Sequence, residues 1–132
     1  MAALTILDLE LLQAARDIIT KNYDNKDFNH TVGAALRTKN GKVYLGVNVY
    51  SLHGACAEQI ALGTAITSGE REFTSIVAVR GKHGEEILPP CGNCRQILGD
   101  YAPECDVILS DKDNGMKVKA YELLPYAYHA EY

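Results

Sequence analysis

A strand–helix–strand segment in the second half of the chain restricts the possible folds more than any other pattern. Residues 74–79 are apolar and β-branched over their second half, and residues 106–109 form another short apolar run. Between them, residues 91–101 predict a helix that begins just after Pro90. A helix that joins two strands of one sheet makes those strands parallel, with a right-handed connection. The chain is therefore expected to contain a sheet with parallel strands and helices packed against it.

The first half of the chain predicts two more helices and a hairpin. Residues 5–21 carry apolar side chains at the spacing of a helix with one buried face, and residues 56–68 favour a second helix that ends near a glycine. Residues 31–37 and 42–49 are two β-prone runs on either side of Asn40-Gly41, which is a strong hairpin signal. These two strands are therefore expected to be antiparallel.

The C-terminal segment predicts a last hairpin. Asp113-Asn114-Gly115 favours a turn, residues 116–120 an edge strand, and residues 121–124 one helical turn that Pro125 ends. No internal repeat or linker is visible, so residues 1–132 are expected to form a single domain. The predicted fold class is α/β, a three-layer α/β/α sandwich around a mixed sheet of about five strands.

Composition and charge exclude several kinds of partner. The 132 residues include 13 Lys and Arg against 17 Asp and Glu, a formal net charge of -4, which opposes binding to a nucleic-acid polymer. The longest apolar run, at residues 60–66, is far shorter than the ~20 residues that span a bilayer. Asp8 and Glu10 precede the first basic residue, Arg16, which is unlike a secretory signal. A cytoplasmic enzyme or binding domain is therefore expected.

The spacing of the cysteines indicates a metal site. Cys91 and Cys94 are three residues apart at the start of one predicted helix, and Cys56 begins another. Two helix starts that converge would place three thiolates around one Zn²⁺ and leave its fourth position for water. This is the arrangement of a catalytic zinc. Cys105, near a buried strand, is interpreted as a small core residue.

Two further residues fit this hypothesis. Three thiolates around a dication leave a formal charge of -1, so the site needs positive compensation from the helix starts. Arg95, next to Cys94, is the candidate for the remainder through N–H···S contacts. Glu58 lies two residues after Cys56, where it could exchange protons with a zinc-bound water, and a carboxylate beside an open zinc is sufficient for hydrolysis.

Other interpretations of the same residues stay open. His53 is three residues before Cys56, so it could complete a closed structural zinc site that has no room for water. Cys91 and Cys94 alone could be a redox pair. Glu58 could be a solvated helix residue. The remaining histidines show no ligand spacing and are interpreted as surface or packing residues; they are His30, His83 and His129.

Several motifs together resemble the cytidine deaminase superfamily, in its small form with three cysteine ligands and a glutamate that is not a ligand. Two of them form the zinc signature, are separated by about 33 residues and each start a predicted helix. The resemblance covers nearly the whole chain. The segments that carry it are Cys56-Ala57-Glu58, Pro90-Cys91-Gly92-Asn93-Cys94-Arg95-Gln96, His30-Thr31-Val32-Gly33-Ala34-Ala35-Leu36, Gly46-Val47-Asn48-Val49-Tyr50 and Glu122-Leu123-Leu124-Pro125.

Within the superfamily, the closer resemblance is to blasticidin-S deaminase-like members. Cytidine deaminases usually have Glu where this chain has Tyr50, and Arg where it has Gln59. They also have an aromatic residue and proline where this chain has His30 and Thr31. The missing carboxylate at position 50 removes one of the two groups that hold the ribose 3′-hydroxyl in that family, and Asn48 keeps the other. With no Arg at position 59, neutralisation of the thiolates is expected to depend on Arg95 and the helix starts.

The resemblance implies zinc-dependent hydrolytic deamination of a free cytosine nucleoside, in pyrimidine salvage, or of the antibiotic blasticidin S. It implies Zn²⁺ on Cys56, Cys91 and Cys94, with Glu58 as the proton-transfer residue. Asn48 and Tyr50 would meet the sugar, and the backbone at Ala57 would meet the ring carbonyl.

The resemblance also concerns assembly. It implies a homotetramer in which Tyr128 stacks on the base of a neighbouring subunit. Tyr126 and Tyr132 are alternatives for that contact.

Overall fold

The computed structural model describes residues 2–111 and 114–130. Asp113 of the expected turn, and Tyr132, lie outside these residues. The elements follow the predicted order along the chain. They are β1 (Ala2–Ala3), α1 (Ile6–Asn22), β2 (Val32–Thr38), β3 (Val43–Val47), α2 (Ala57–Thr67), β4 (Phe73–Arg80), β5 (Glu86–Ile87), α3 (Gly92–Tyr101), β6 (Asp106–Asp111), β7 (Asn114–Lys119) and a 3₁₀ turn (Ala120–Leu123).

The strands form one mixed sheet in the order β1-β7-β6-β4-β2-β3, with β5 paired to β4. Strands β4 and β6 are parallel, and Ser75 pairs with Asp106. The other strand pairs are antiparallel. Since α3 connects β4 to β6, the predicted strand–helix–strand segment is confirmed. The two-residue strands β1 and β5 were not predicted, because two residues are too few to show a period of two.

Helices cover both faces of the sheet, as predicted. Helix α1 packs against one face of the central strands, whereas α2 and α3 pack against the other. The side chains of β4 alternate accordingly: Val77 and Val79 contact the α1 side, and Ile76 and Ala78 the opposite side. This is the expected three-layer α/β/α sandwich. Cys105 is 0% exposed in the hydrophobic core between the sheet and helices α2 and α3, as predicted for a small core residue.

Helix α1 begins where its sequence predicts. Thr5 is the N-cap residue, and its hydroxyl accepts a hydrogen bond from the Asp8 N–H while the Asp8 carboxylate accepts one from the Thr5 N–H. Asp8 also contacts Lys117 of β7 at 2.8 Å, which ties the helix start to the far edge of the sheet. None of the helices in residues 2–111 and 114–130 is long and apolar enough to cross a bilayer.

Gly46 of β3 allows helix α2 to lie directly on this strand. A Cβ atom at this position would lie 2.5 Å from the Ala61 nitrogen and 2.6 Å from the Ala57 carbonyl oxygen. Gly46→Ala should therefore push α2 away from the sheet and lower the free energy of unfolding by about 1–3 kcal/mol. Thermal unfolding measures this effect.

Gly63 within α2 provides the control. Apart from its chain neighbours and the nearby backbone of α2, a Cβ atom there meets no atom within 4 Å, so Gly63→Ala should be neutral or raise the melting temperature through its better helix propensity. Equal melting temperatures for Gly46→Ala and the unmodified chain would show that the helix does not depend on this close approach.

Candidate active site

The first turns of α2 and α3 bring three cysteine sulfurs together. Cys56 is the N-cap residue of α2, Cys91 is the N-cap residue of α3, and Cys94 lies in the first turn of α3. The Sγ atom of Cys91 is 3.5 Å from the Sγ atoms of both Cys56 and Cys94, and all three lie within 4.8 Å of one another. Sulfurs bound to one tetrahedral Zn²⁺ at about 2.3 Å would lie about 3.8 Å apart. The three thiols therefore fit a zinc ion.

The pKa values of the three thiols show where a bound cation would be needed to favour the thiolate form. Burial raises the pKa of Cys94, and the nearby Glu58 carboxylate raises it further. Burial likewise raises the pKa of Cys56. For Cys91, burial acts in the same direction, but hydrogen bonds with the Cys94 N–H group, with the Cys94 and Cys56 thiols and with the Asn93 N–H group together outweigh it and lower the pKa. These hydrogen bonds favour a thiolate at Cys91, and a bound dication would favour thiolates at the other two cysteines.

Among the described hydrogen bonds, the residue outside the three cysteines that contacts a metal-site sulfur is Gln59, and stabilisation of the thiolates by Arg95 stays a prediction. The Gln59 side-chain amide donates to the Cys94 Sγ atom at 3.8 Å. The Arg95 guanidinium instead donates to two carbonyl oxygens, that of Pro90 at 2.8 Å and that of Leu123 at 3.1 Å. Arg95 therefore holds the loop before α3 and the 3₁₀ turn, and its described hydrogen bonds do not reach the thiols.

Glu58 lies beside the sulfurs and is largely removed from solvent. It is the second residue of α2 and is only 6% exposed, so it is not a solvated helix residue. Burial raises the pKa of its carboxyl group. A carboxyl group with a raised pKa exchanges protons closer to neutral pH than an exposed one. Its position and environment both suit proton transfer next to the metal site.

A cavity of about 500 Å³ opens over these groups. The loop between β3 and α2 forms one wall, and the segment before α3 forms the other. Among the predicted site residues, the cavity is lined by Cys56, Glu58, Cys91 and also by the three predicted substrate-binding residues Asn48, Tyr50 and Ala57. A ligand in this cavity would therefore contact Glu58 and the metal site together.

Asn48 offers a hydrogen-bond donor to the cavity. Its side-chain oxygen accepts hydrogen bonds from the backbone N–H groups of Thr31, at 2.8 Å, and Val32, at 3.0 Å. An amide oxygen that accepts two hydrogen bonds has no further lone pair to offer, so the NH₂ group is the part of the side chain that can bind a ligand. Tyr50 lines the cavity too, but is 73% exposed and lies toward its rim.

Tyr128 does not lie in the cavity of its own chain. It is 75% exposed, and it is absent from the described cavity lining, as is Tyr126. The Gln96 side chain donates to the Tyr128 carbonyl at 2.8 Å, which holds the C-terminal segment against α3. A contact between Tyr128 and a base in a neighbouring subunit stays a prediction.

The two alternative interpretations of the cysteines receive less support. His53 lines the cavity, but among the described residues the group that could hold a metal contains only the three cysteines. Among these residues, His53 therefore does not belong to the group of converging ligand atoms. A redox pair needs only two thiols, whereas Cys56 approaches Cys91 as closely as Cys94 does.

Sequence reasoning assigned no role to His30, which contacts a residue of the cavity. Its ring nitrogen Nδ1 lies 2.8 Å from the Asn48 carbonyl oxygen. The other two histidines are exposed, as expected; His129 lies 3.8 Å from Asp100, and His83 is in the loop before β5.

Comparison with known proteins identifies the family. The family described as "Cytidine and deoxycytidylate deaminase zinc-binding region" matches residues 6–109. The chain is 39% identical over 130 residues to a blasticidin-S deaminase of Bacillus cereus, covering 92% of this chain and 91% of that protein. It is 37% identical over 106 residues to a cytidine deaminase of Halalkalibacterium halodurans, covering 76% of this chain and 78% of that protein.

The structures agree with the sequences. A crystal structure of cytidine deaminase from Burkholderia pseudomallei has 32% identity and a TM-score of 0.74, and the alignment covers 95% of this chain and 100% of that chain. The zinc-binding description of the family matches the three-cysteine group, so Zn²⁺ is the cofactor of this site. This chain belongs to the cytidine and deoxycytidylate deaminase zinc-binding family.

Proposed function

We propose that this protein hydrolyses the amino group at C4 of the cytosine base in a free nucleoside, cytidine or deoxycytidine, and releases ammonia. The observation that carries the proposal is the buried Glu58 next to three convergent cysteine sulfurs at the wall of one cavity. Relatives named cytidine deaminase and blasticidin-S deaminase support the same type of reaction.

The three cysteines and Glu58 have different roles in the proposed reaction. Cys56, Cys91 and Cys94 would hold Zn²⁺, which supplies a Lewis acid that makes a water molecule more acidic. Glu58 accepts a proton from the water as its oxygen bonds to C4 and passes this proton to N3 of the ring. It then accepts the proton of the new C4 hydroxyl group and passes it to the departing amino group. The bond between C4 and the amino nitrogen breaks, ammonia leaves, and the base becomes uracil. Exclusion of solvent around Glu58 keeps the proton within the site.

Two groups of the cavity are placed to orient the nucleoside. Ala57 is the first residue of α2, so its N–H group has no partner within the helix and is proposed to donate to the ring carbonyl. The free NH₂ group of Asn48 is proposed to donate to a sugar hydroxyl. Tyr50, at the rim, is proposed to cover the sugar.

A second candidate substrate is blasticidin S, in which a cytosine is attached to a modified pyranose. It is favoured by Tyr50, which puts no carboxylate at the position beside Asn48 where a ribose would be bound. The match to the blasticidin-S deaminase covers 92% of this chain, and the match to the cytidine deaminase 76%. The two substrates share the base and the reaction, and they differ only in what meets Asn48 and Tyr50.

A substrate panel tests this proposal. The zinc-loaded protein is incubated with cytidine, deoxycytidine, cytosine and blasticidin S, and loss of cytosine absorbance is measured together with ammonia. We expect turnover of at least one nucleoside and little turnover of free cytosine, which lacks the sugar that Asn48 binds. Adenosine is the control that should not react. Failure to release ammonia from all four cytosine compounds would disprove the proposed function.

We also propose a homotetramer and a cytoplasmic location. Tyr128 is exposed and held away from the cavity of its own chain, which supports a role across a subunit interface. The molar mass in solution, about four times 14.4 kDa for a tetramer, tests the assembly. Free thiols at the metal site support a reducing compartment, which cell fractionation tests.

A further inference from the structure

The segment that leads into β2 is tightly folded before it reaches the cavity. The Asp24 carboxylate accepts hydrogen bonds from the N–H groups of Lys26, Asp27 and Asn29, each at 3.1 Å. The Asp24 N–H in turn donates to the His30 carbonyl at 3.0 Å. These bonds close the segment into a loop, so the His30 backbone has a defined position at the start of the sheet.

His30 uses this position to hold Asn48. Its ring nitrogen Nδ1 lies 2.8 Å from the Asn48 carbonyl oxygen. A carbonyl oxygen only accepts, so Nδ1 carries the hydrogen and donates. Thr31 and Val32, which follow His30, hold the side chain of Asn48, since their N–H groups both donate to its side-chain oxygen. The main chain and the side chain of Asn48 are therefore both fixed by one segment.

The orientation of Asn48 affects both its side chain, which faces the cavity, and the main chain that follows it. Its side-chain oxygen is occupied, which leaves the NH₂ group toward the cavity that Asn48 lines. After Asn48, Val49 and Ala55 exchange two backbone hydrogen bonds of 2.9 Å, and the chain continues directly to Cys56. A rotation of the Asn48 peptide would therefore turn the amide donor away from a ligand.

We propose that His30 is a positioning residue that holds Asn48 in the orientation in which its amide binds a hydroxyl of the substrate sugar. This inference rests on the proposed function, because it concerns how the nucleoside is held. His30 does not line the described cavity, so it acts through Asn48 and does not touch the substrate. Its effect is on sugar binding and leaves proton transfer at Glu58 unchanged.

The test compares two substitutions at His30. His30→Phe keeps a ring but removes the donor, so KM for cytidine should rise about five-fold while kcat stays within about two-fold, the effect of losing one hydrogen bond. His30→Asn places a side-chain amide donor near the position of Nδ1 and should restore most of the original KM. The same measurements with 2′,3′-dideoxycytidine, which lacks the sugar hydroxyls, should show little change in KM for either variant.

A control and the unmodified chain separate the possible outcomes. His83→Phe changes an exposed histidine away from the cavity and should leave both constants unchanged. If His30→Phe keeps the original KM for cytidine, or if KM rises equally for dideoxycytidine, His30 does not position Asn48 for the sugar. If the unmodified chain deaminates no nucleoside, the proposed function itself has failed, and the role of His30 fails with it.

Discussion

Replacing Glu58 with Gln should remove nearly all deaminase activity while the protein keeps its fold and its zinc. Gln has the same shape as Glu, so the environment of this buried side chain, 6% exposed at the start of α2, is little disturbed. Its amide cannot accept and return a proton, however. General acid–base groups contribute about 10²–10⁴-fold to a rate, so we expect kcat to fall by about 10³-fold.

Three measurements check this result together. Ammonia release gives the rate, metal analysis gives the zinc content, and thermal unfolding reports on the fold. Glu72→Gln is the matched control, because Glu72 is a surface carboxylate with a side chain 71% exposed, and its replacement should leave all three unchanged. Substantial turnover by zinc-loaded Glu58→Gln would mean that another group moves the proton.

The metal site could be predicted from the sequence because its geometry is mostly local. Cys91 and Cys94 are three positions apart, and side chains at that spacing lie on one side of a helix turn. To assign Cys56 as the third ligand, it was enough to predict that this residue starts a second helix. The one long-range requirement, that the two helix starts meet, follows when both helices pack on the same face of the sheet, as α2 and α3 do.

The contact with Cys94 comes from a residue that the sequence analysis did not assign to the thiols, Gln59. Arg95 is the neighbour of Cys94 in sequence, but consecutive residues of a helix point about 100° apart, so its guanidinium reaches the carbonyls of Pro90 and Leu123. Gln59 is three residues after Cys56, on the side of α2 that faces the sulfurs. The helical period therefore contained the signal for Gln59, although proximity in sequence favoured Arg95.

The contact between His30 and Asn48 could not be predicted in the same way. The two residues are 18 positions apart and come together only through the register of β2 and β3, in which Gly33 pairs with Val47. The hairpin signal at Asn40-Gly41 predicts that these strands pair, but a shift of one residue would turn every side chain to the opposite face. Such contacts need the register, which propensity alone does not determine.

Removal of one metal ligand should have the second large effect. Cys94→Ala deletes one of three sulfurs, so zinc affinity should fall by more than about 100-fold, the upper range for loss of a group that only supports a ligand. Activity should fall with it, because the remaining two sulfurs do not make the three-ligand set of a catalytic zinc. Metal analysis after dialysis against a weak chelator measures the loss.

Cys105→Ala is an unusually close control for Cys94→Ala. Both thiols are buried, at 0% and 1% exposure, and burial raises the pKa of Cys105 to about 12. The two substitutions remove the same atom from similarly buried positions, and each leaves a small cavity that costs about 1 kcal/mol of stability. Of these two cysteines, Cys94 belongs to the three-sulfur group and Cys105 does not, so Cys105→Ala should keep one zinc per chain and full activity.

Cys56→Ala then distinguishes the zinc site from a redox pair. In a redox pair Cys91 and Cys94 would suffice, and loss of Cys56 would leave the protein active without metal. In the site described above, the Cys56 sulfur is 3.5 Å from that of Cys91 and supplies the third ligand from the other helix. Cys56→Ala should therefore lose zinc and activity as Cys94→Ala does. If it retained both, Cys56 would not be a required zinc ligand, and the three-cysteine site would be wrong.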